Sequence, residues 1–260
     1  MSIIENHIEI KTPTENITLW RYMDIPSFIQ LLAKESLIFV KADLFEDKYE
    51  GTLPKLTINM IETSPNSKLK GFKGEIFGET YENFSDYLKS HRKRTFLNCW
   101  CKENFEMIHM WKIYSKENGV AIQTTYENLK KAIISKENIF STEIDYVDFD
   151  NDLIDWKSTM KYFTIKRKEY KSESEFRLLI QHPRIIEDKL PPLIQEYKEH
   201  SHEREELYCK TQIIHCEVDI NILISKIHLS PYAPKWYKEL INDILIKYNL
   251  RNIEIIQTDL

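Results

Sequence analysis

Glu173-Ser174-Glu175-Phe176-Arg177-Leu178-Leu179-Ile180 is the best-patterned strand in the chain. Side chains alternate across a strand, so Glu173, Glu175 and Arg177 share one face while Phe176, Leu178 and Ile180 share the other. The apolar face belongs to a core. The opposite face carries two carboxylates and a guanidinium, where a solvated strand more often carries Thr, Lys or Gln. Its ordinary reading is an exposed strand with a cross-paired ion cluster. The functional reading makes Glu175, Glu173 and Arg177 a catalytic face.

Working outward, short apolar runs alternate with helical patterns. Strands are predicted at 17–23, 36–40, 95–101, 120–123, 139–148, 213–218, 222–229 and 253–256. Helices are predicted from Asp24, an N-cap followed by Pro26, and over 80–93, 105–114, 126–135, 153–168 and 233–248. Residues 52–78 read as an irregular insertion, and 183–210, with Pro183, Pro191 and Pro192, as a charged connector. The fold class is α+β: one domain over 1–260, with a mixed, largely antiparallel and splittable sheet flanked by helices.

Composition narrows the function. Only 5 of 260 residues are glycine, against a usual share of roughly 7%. Gly51, Gly71, Gly74, Gly78 and Gly119 spell neither a P-loop nor a dinucleotide fingerprint, so any nucleotide is held by side chains. Thirty-six basic residues against 41 acidic give a net charge of −5, with no excess to gather nucleic acid. Four cysteines make no disulfide scaffold. The N-terminus lacks a signal-peptide pattern and no apolar run reaches the roughly 20 residues of a membrane span. A cytoplasmic protein without membrane partners is expected.

Other clusters have plain alternatives. Asp43, Glu46, Asp47 and Glu50 form an acidic turn that could hold a hard cation but matches no calcium loop, and reads as surface. Trp111 and Tyr114 share a helix face, where aromatics are ordinarily core. Cys99 and Cys101, and later His200, His202, Cys209, His215 and Cys216, lack paired zinc spacing, so no metal is expected. No nucleophile elbow or His-Glu-x-x-His helix is present.

In order, Leu19-Trp20-Arg21-Tyr22, Leu44-Phe45-Glu46-Asp47-Lys48-Tyr49-Glu50-Gly51, Phe96-Leu97-Asn98-Cys99-Trp100-Cys101, Met110-Trp111-Lys112-Ile113-Tyr114 and Glu173-Ser174-Glu175-Phe176-Arg177 resemble the bacterial and phage domain-of-unknown-function family 2971 over residues 17–257. Two features depart from that family: the turn lacks its Asn and Pro, and Cys101 stands at its serine position. More distantly, the order of Arg21, then Cys101 or Tyr114, then Glu173 and Glu175 resembles ADP-ribosyltransferases.

The second resemblance implies an NAD-using enzyme, a toxin or antiphage effector, that modifies a protein or nucleic-acid acceptor. Arg21, Tyr22, Cys101, Trp111 and Tyr114 would hold this nucleotide-like molecule, with Arg21 on the pyrophosphate. Glu175 would stabilise the oxocarbenium-like cation and Glu173 would orient the acceptor. A magnesium-dependent nuclease using Glu46, Asp47, Glu50 and the late glutamates, and a noncatalytic sensor or interaction module, are the alternatives.

Overall fold

The computed structural model describes residues 3–64, 74–76, 79–115, 118–181 and 210–257. The central strand begins two residues later than predicted, as β11 over Glu175–Gln181. Ser174 has a φ of +43° and ends a 3-10 turn over Lys168–Glu173. That left-handed conformation cannot continue a pleat. Glu173 therefore leaves the strand, and only Glu175 and Arg177 share its polar face.

β11 is flanked on both sides, antiparallel to β6 (Thr95–Lys102) and to β8 (Ile139–Glu143). This central position overturns the exposed-strand reading, because Glu175 and Arg177 are 5% and 0% exposed. The sheet also contains β1 (Ile3–Ile4), β2 (Thr18–Asp24), β3 (Ser36–Lys41) and β7 (Gly119–Thr125). β12 (Ile213–Glu217), β13 (Lys226–Leu229) and β14 (Glu254–Gln257) complete it. Its order is β1-β8-β11-β6-β2-β7-β13-β14, with β3 and β12 branching from β6. β1/β8 and β13/β14 are parallel, and the other pairs of this sheet are antiparallel.

The branch positions the site. β3 pairs with the beginning of β6 (Val40↔Leu97, Lys41↔Phe96), whereas β2 pairs with its end (Trp20↔Cys101, Leu19↔Lys102). Asn98, Cys99 and Trp100 lie between these two pairings, where the strands part. The mixed, largely antiparallel sheet is thus split at β6.

Side-chain alternation builds cores on both faces. Phe96, Trp100, Phe176, Leu178 and Ile180 join one core. Its helices are α1 (Ile25–Lys34), α5 (Tyr126–Ala132) and a C-terminal helix over Tyr237–Lys247. Leu97 and Leu179 point the other way, into a core with α2 (Lys55–Thr63) and α3 (Phe84–Ser90). α1 starts as its sequence dictates: Asp24 accepts the N–H of Ser27 and Pro26 sits in the first turn.

Several local expectations change. The predicted helix at 153–168 is a 3-10 turn (Thr159–Phe163) followed by β10 (Ile165–Arg167), paired with β9 (Asp145–Val147). Its aromatic and β-branched run Tyr162-Phe163-Thr164-Ile165 suits a strand better than a helix. The predicted strand at 222–229 starts instead as a helix, Ile220–Leu223, because Asp219 accepts the N–H groups of Asn221 and Ile222.

Within 105–114 only Ile108–Met110 (α4) is α-helical, and a π turn over Trp111–Ser115 follows. Widening that turn separates Trp111, fully buried, from Ile108 and Tyr114, both exposed. The insertion at 52–78 contains α2 and one strand of the hairpin Gly74–Ile76/Glu79–Tyr81. Its residues 65–73 and 77–78 lie outside the described residues, as does the connector over 183–209 with His200, His202 and Cys209. No helix among the described residues is long and apolar enough to cross a membrane.

Candidate functional site

The polar face of β11 nucleates a chain of alternating charges, buried at Glu50, Arg177 and Glu175 and partly exposed at Lys166 and Glu173. Arg177 Nε donates to Glu175 Oε1 at 2.7 Å, and its Nη1 and Nη2 donate to Glu50 Oε1 and Oε2 at 2.7 and 3.1 Å. Phe163 O accepts from Nη1 at 2.9 Å. On the other side, Lys166 Nζ reaches Glu175 Oε2 at 2.8 Å and Glu173 Oε2 at 2.6 Å. The series Glu50–Arg177–Glu175–Lys166–Glu173 places every charge beside its opposite, as burial demands.

Electrostatics follow from that order. Burial alone would raise the Glu175 pKa, but Arg177 and Lys166 overcome it and hold the carboxyl at about 2. Burial likewise opposes the Lys166 charge, yet Glu175 and Glu173 outweigh it and raise its pKa. Burial, with the nearby carboxylates, pushes the Cys99 and Cys101 thiols up. Both therefore remain protonated at neutral pH and lack thiolate reactivity.

Arg21 belongs by alternation to the opposite face from Trp20, Cys101 and Glu175. Its guanidinium lies 5.8 Å from the centre of the Trp100 ring, and burial lowers its pKa. The parted strands let it reach the same space as the acids. One cavity of about 240 Å³ is lined by Arg21, Trp20, Tyr22, Cys101, Tyr114, Lys166, Glu173 and Glu175, among others. A second, of about 290 Å³, shares Arg21, Tyr22, Val40 and Tyr114 and continues along α1. Arg21 thus stands at a waist between two spaces. Its Nη1 is buried without a hydrogen-bond partner, which favours an anionic ligand oxygen there.

The structure therefore brings Arg21, Tyr22, Cys101, Tyr114, Glu173 and Glu175 to one cavity. It assigns two expected residues different places. Trp111 does not line the cavity; it is buried behind Tyr22, edge-on at 4.9 Å between ring centres, with its indole N–H donated to Glu106. Arg177 also lies off the cavity, behind Glu175, as a positioning residue.

The acidic turn is not simply a surface feature. Glu50 is 4% exposed and paired with Arg177, while Asp47 pairs with Arg167 at 3.2 Å. Arg167 stacks between Tyr49 and Tyr170, at 5.1 and 5.0 Å from the ring centres. Among the described residues, no group of three or more His, Cys, Asp and Glu is placed to hold a metal ion.

Sequence reasoning missed Lys166 and the burial of Glu50. The strand-prone run before Lys166 was the available signal for the first. Nothing periodic marks the second, since a turn side chain has no face fixed by repeat.

The fold and site define an α+β protein with a forked sheet and a side-chain-lined cleft at the fork. None of the protein families, curated proteins or solved structures compared with the chain matches it.

Proposed function

We propose that this chain is an NAD-using enzyme of ADP-ribosyltransferase type, a cytoplasmic bacterial or phage toxin or antiphage effector. The observation that carries this reading is the convergence of Arg21 and Glu175 on one cavity from opposite faces of the sheet. The two cavities suit the two halves of a dinucleotide, with Arg21 at the pyrophosphate between them. Glycine-rich phosphate loops are not needed when a guanidinium supplies the donors.

The nicotinamide ribose would occupy the cavity of Glu173 and Glu175, against Tyr22 and Tyr114. The bond from ribose C1′ to the pyridinium nitrogen breaks with its electron pair going to nicotinamide, which leaves neutral. Cationic charge grows on the ribose, and the fixed anionic Glu175 stabilises it. The acceptor oxygen or nitrogen then bonds to C1′, and its proton passes to Glu173. With water as acceptor the products are ADP-ribose and nicotinamide.

Incubation of the purified chain with labelled NAD tests the proposal. Nicotinamide release or label transfer, with at least a 100-fold loss in Glu175→Gln, supports it. Absence of NAD binding, turnover and transfer in the wild type refutes it.

A further inference from the structure

The second cavity carries one charged wall besides Arg21. Asp24 lines it, with Ser27, Ser36, Leu31, Leu37 and Ile38. Asp24 ends β2 and caps α1, its Oδ1 accepting the Ser27 N–H at 2.9 Å. Ser36 opens β3 and its Oγ lies 2.9 Å from His215 Nδ1. The space thus combines an apolar floor, hydroxyls and a carboxylate, and Arg21, whose Nη1 is buried without a partner, also lines it.

Resting on the NAD reading above, we propose that this cavity takes the adenosine half of the dinucleotide and that Asp24 restricts it to NAD over NADP. Arg21 and Asp24, at the middle and end of β2, line this same cavity. A ribose joined to a pyrophosphate at Arg21 would therefore lie in the space that Asp24 walls. A carboxylate accepts hydrogen bonds from ribose hydroxyls but repels a 2′-phosphate, the same discrimination an acidic residue performs in unrelated dinucleotide folds. The apolar floor from α1 and β3 receives the adenine ring. Arg21, occupied by the pyrophosphate, is not available to a second phosphate.

Titration calorimetry on the full chain with NAD and NADP tests this. NAD should bind at least tenfold more tightly than NADP, and Asp24→Asn should shrink that ratio at least threefold. Asparagine caps helices as well as aspartate does, so α1 retains its start. Equal or tighter NADP binding, or an unchanged ratio in Asp24→Asn, overturns the inference. If NAD binding in that case is still lost in Arg21→Ala, the broader NAD reading stands without it. If neither dinucleotide binds the wild type, the NAD reading itself fails and the selectivity inference falls with it.

Discussion

At the residue scale, the consequential pairing is Glu50 with Arg177. Arg177 is wholly buried, and its bidentate partner comes from a turn 127 residues earlier. Removing one partner of a buried pair leaves an uncompensated charge, typically at a cost of roughly 3–5 kcal/mol. Glu50→Ala should fall near the lower end, because Glu175 and Phe163 O still engage the guanidinium. Urea denaturation measures the difference; a change below about 1 kcal/mol would mean Arg177 finds water or another partner.

Glu175 makes a separate prediction with a definite sign. Its carboxyl is held at about 2, below its ordinary 4.5. On acidification the unfolded chain takes up the proton first, so stability present above pH 4.5 is lost between about 4.5 and 2. Glu175→Gln should flatten that part of the stability curve. Equal slopes for variant and wild type would contradict the pairing.

These residues also show what sequence could reveal. The alternation of Glu175 and Arg177 was legible, because strand geometry fixes the period. Their burial was not, because burial depends on β8 and β6 flanking them, and no local pattern encodes a neighbour. Glu173 was misplaced by a single left-handed residue, Ser174, a conformation unusual for serine.

At the element scale, the fork of β6 and the π turn beside it shape the cleft. Gly119 opens β7, and a Cβ there would lie 1.9 Å from Ser115 Cβ and 2.7 Å from Ser115 Cα. Ser115 closes the turn that presents Tyr114 to both cavities. Gly119→Ala should therefore cost about 1–3 kcal/mol, as overpacking does. Because Tyr114 must shift with Ser115, ligand affinity should also fall. Calorimetry of the folded variant separates that effect from stability; unchanged affinity would place Tyr114 outside the binding surface.

His228 on β13 gives the sheet a second acid response. Its Nε2 lies 2.9 Å from Gln123 Oε1, its Nδ1 is buried without a partner, and its ring packs 4.6 Å from Trp20. Burial, reinforced by Lys226 and opposed by Glu254, lowers its pKa from 6.5 to about 4. Above pH 6.5 the ring is neutral in both states. As pH falls from 6.5 toward 4 the unfolded chain protonates first, so stability is lost across that window. His228→Gln should show no such loss over that window in thermal melts, whereas an undiminished loss would assign it to another group.

The strands that build this fork were mostly visible as apolar runs bounded by turn residues. The fork itself was not, since the sequence distinguishes neither which strand pairs with which half of β6 nor where they separate. The π turn was equally hidden: Phe105, Ile108, Trp111 and Tyr114 fit a helical repeat, and one extra residue in the turn changes which of them faces inward.

At the scale of the whole molecule, β6 and β11 lie between cores on opposite faces. Phe96, Trp100, Phe176 and Leu178 serve one, while Leu97 and Leu179 serve the other. Neither core can lose these strands without exposing the apolar side chains that the same strands give its counterpart. Cooperative unfolding follows from this sharing. Trp156 packs against the second core, whereas Trp20 and Trp111 lie in the small cluster under the cleft and Trp100 in the first core. A Trp156→Phe variant therefore restricts most buried indole signal to Trp20, Trp100 and Trp111, while far-UV circular dichroism reports both sides. In urea, the fluorescence and dichroism midpoints of this variant should coincide. Separate midpoints would show that the two faces unfold independently, despite the strands β6 and β11 that they share.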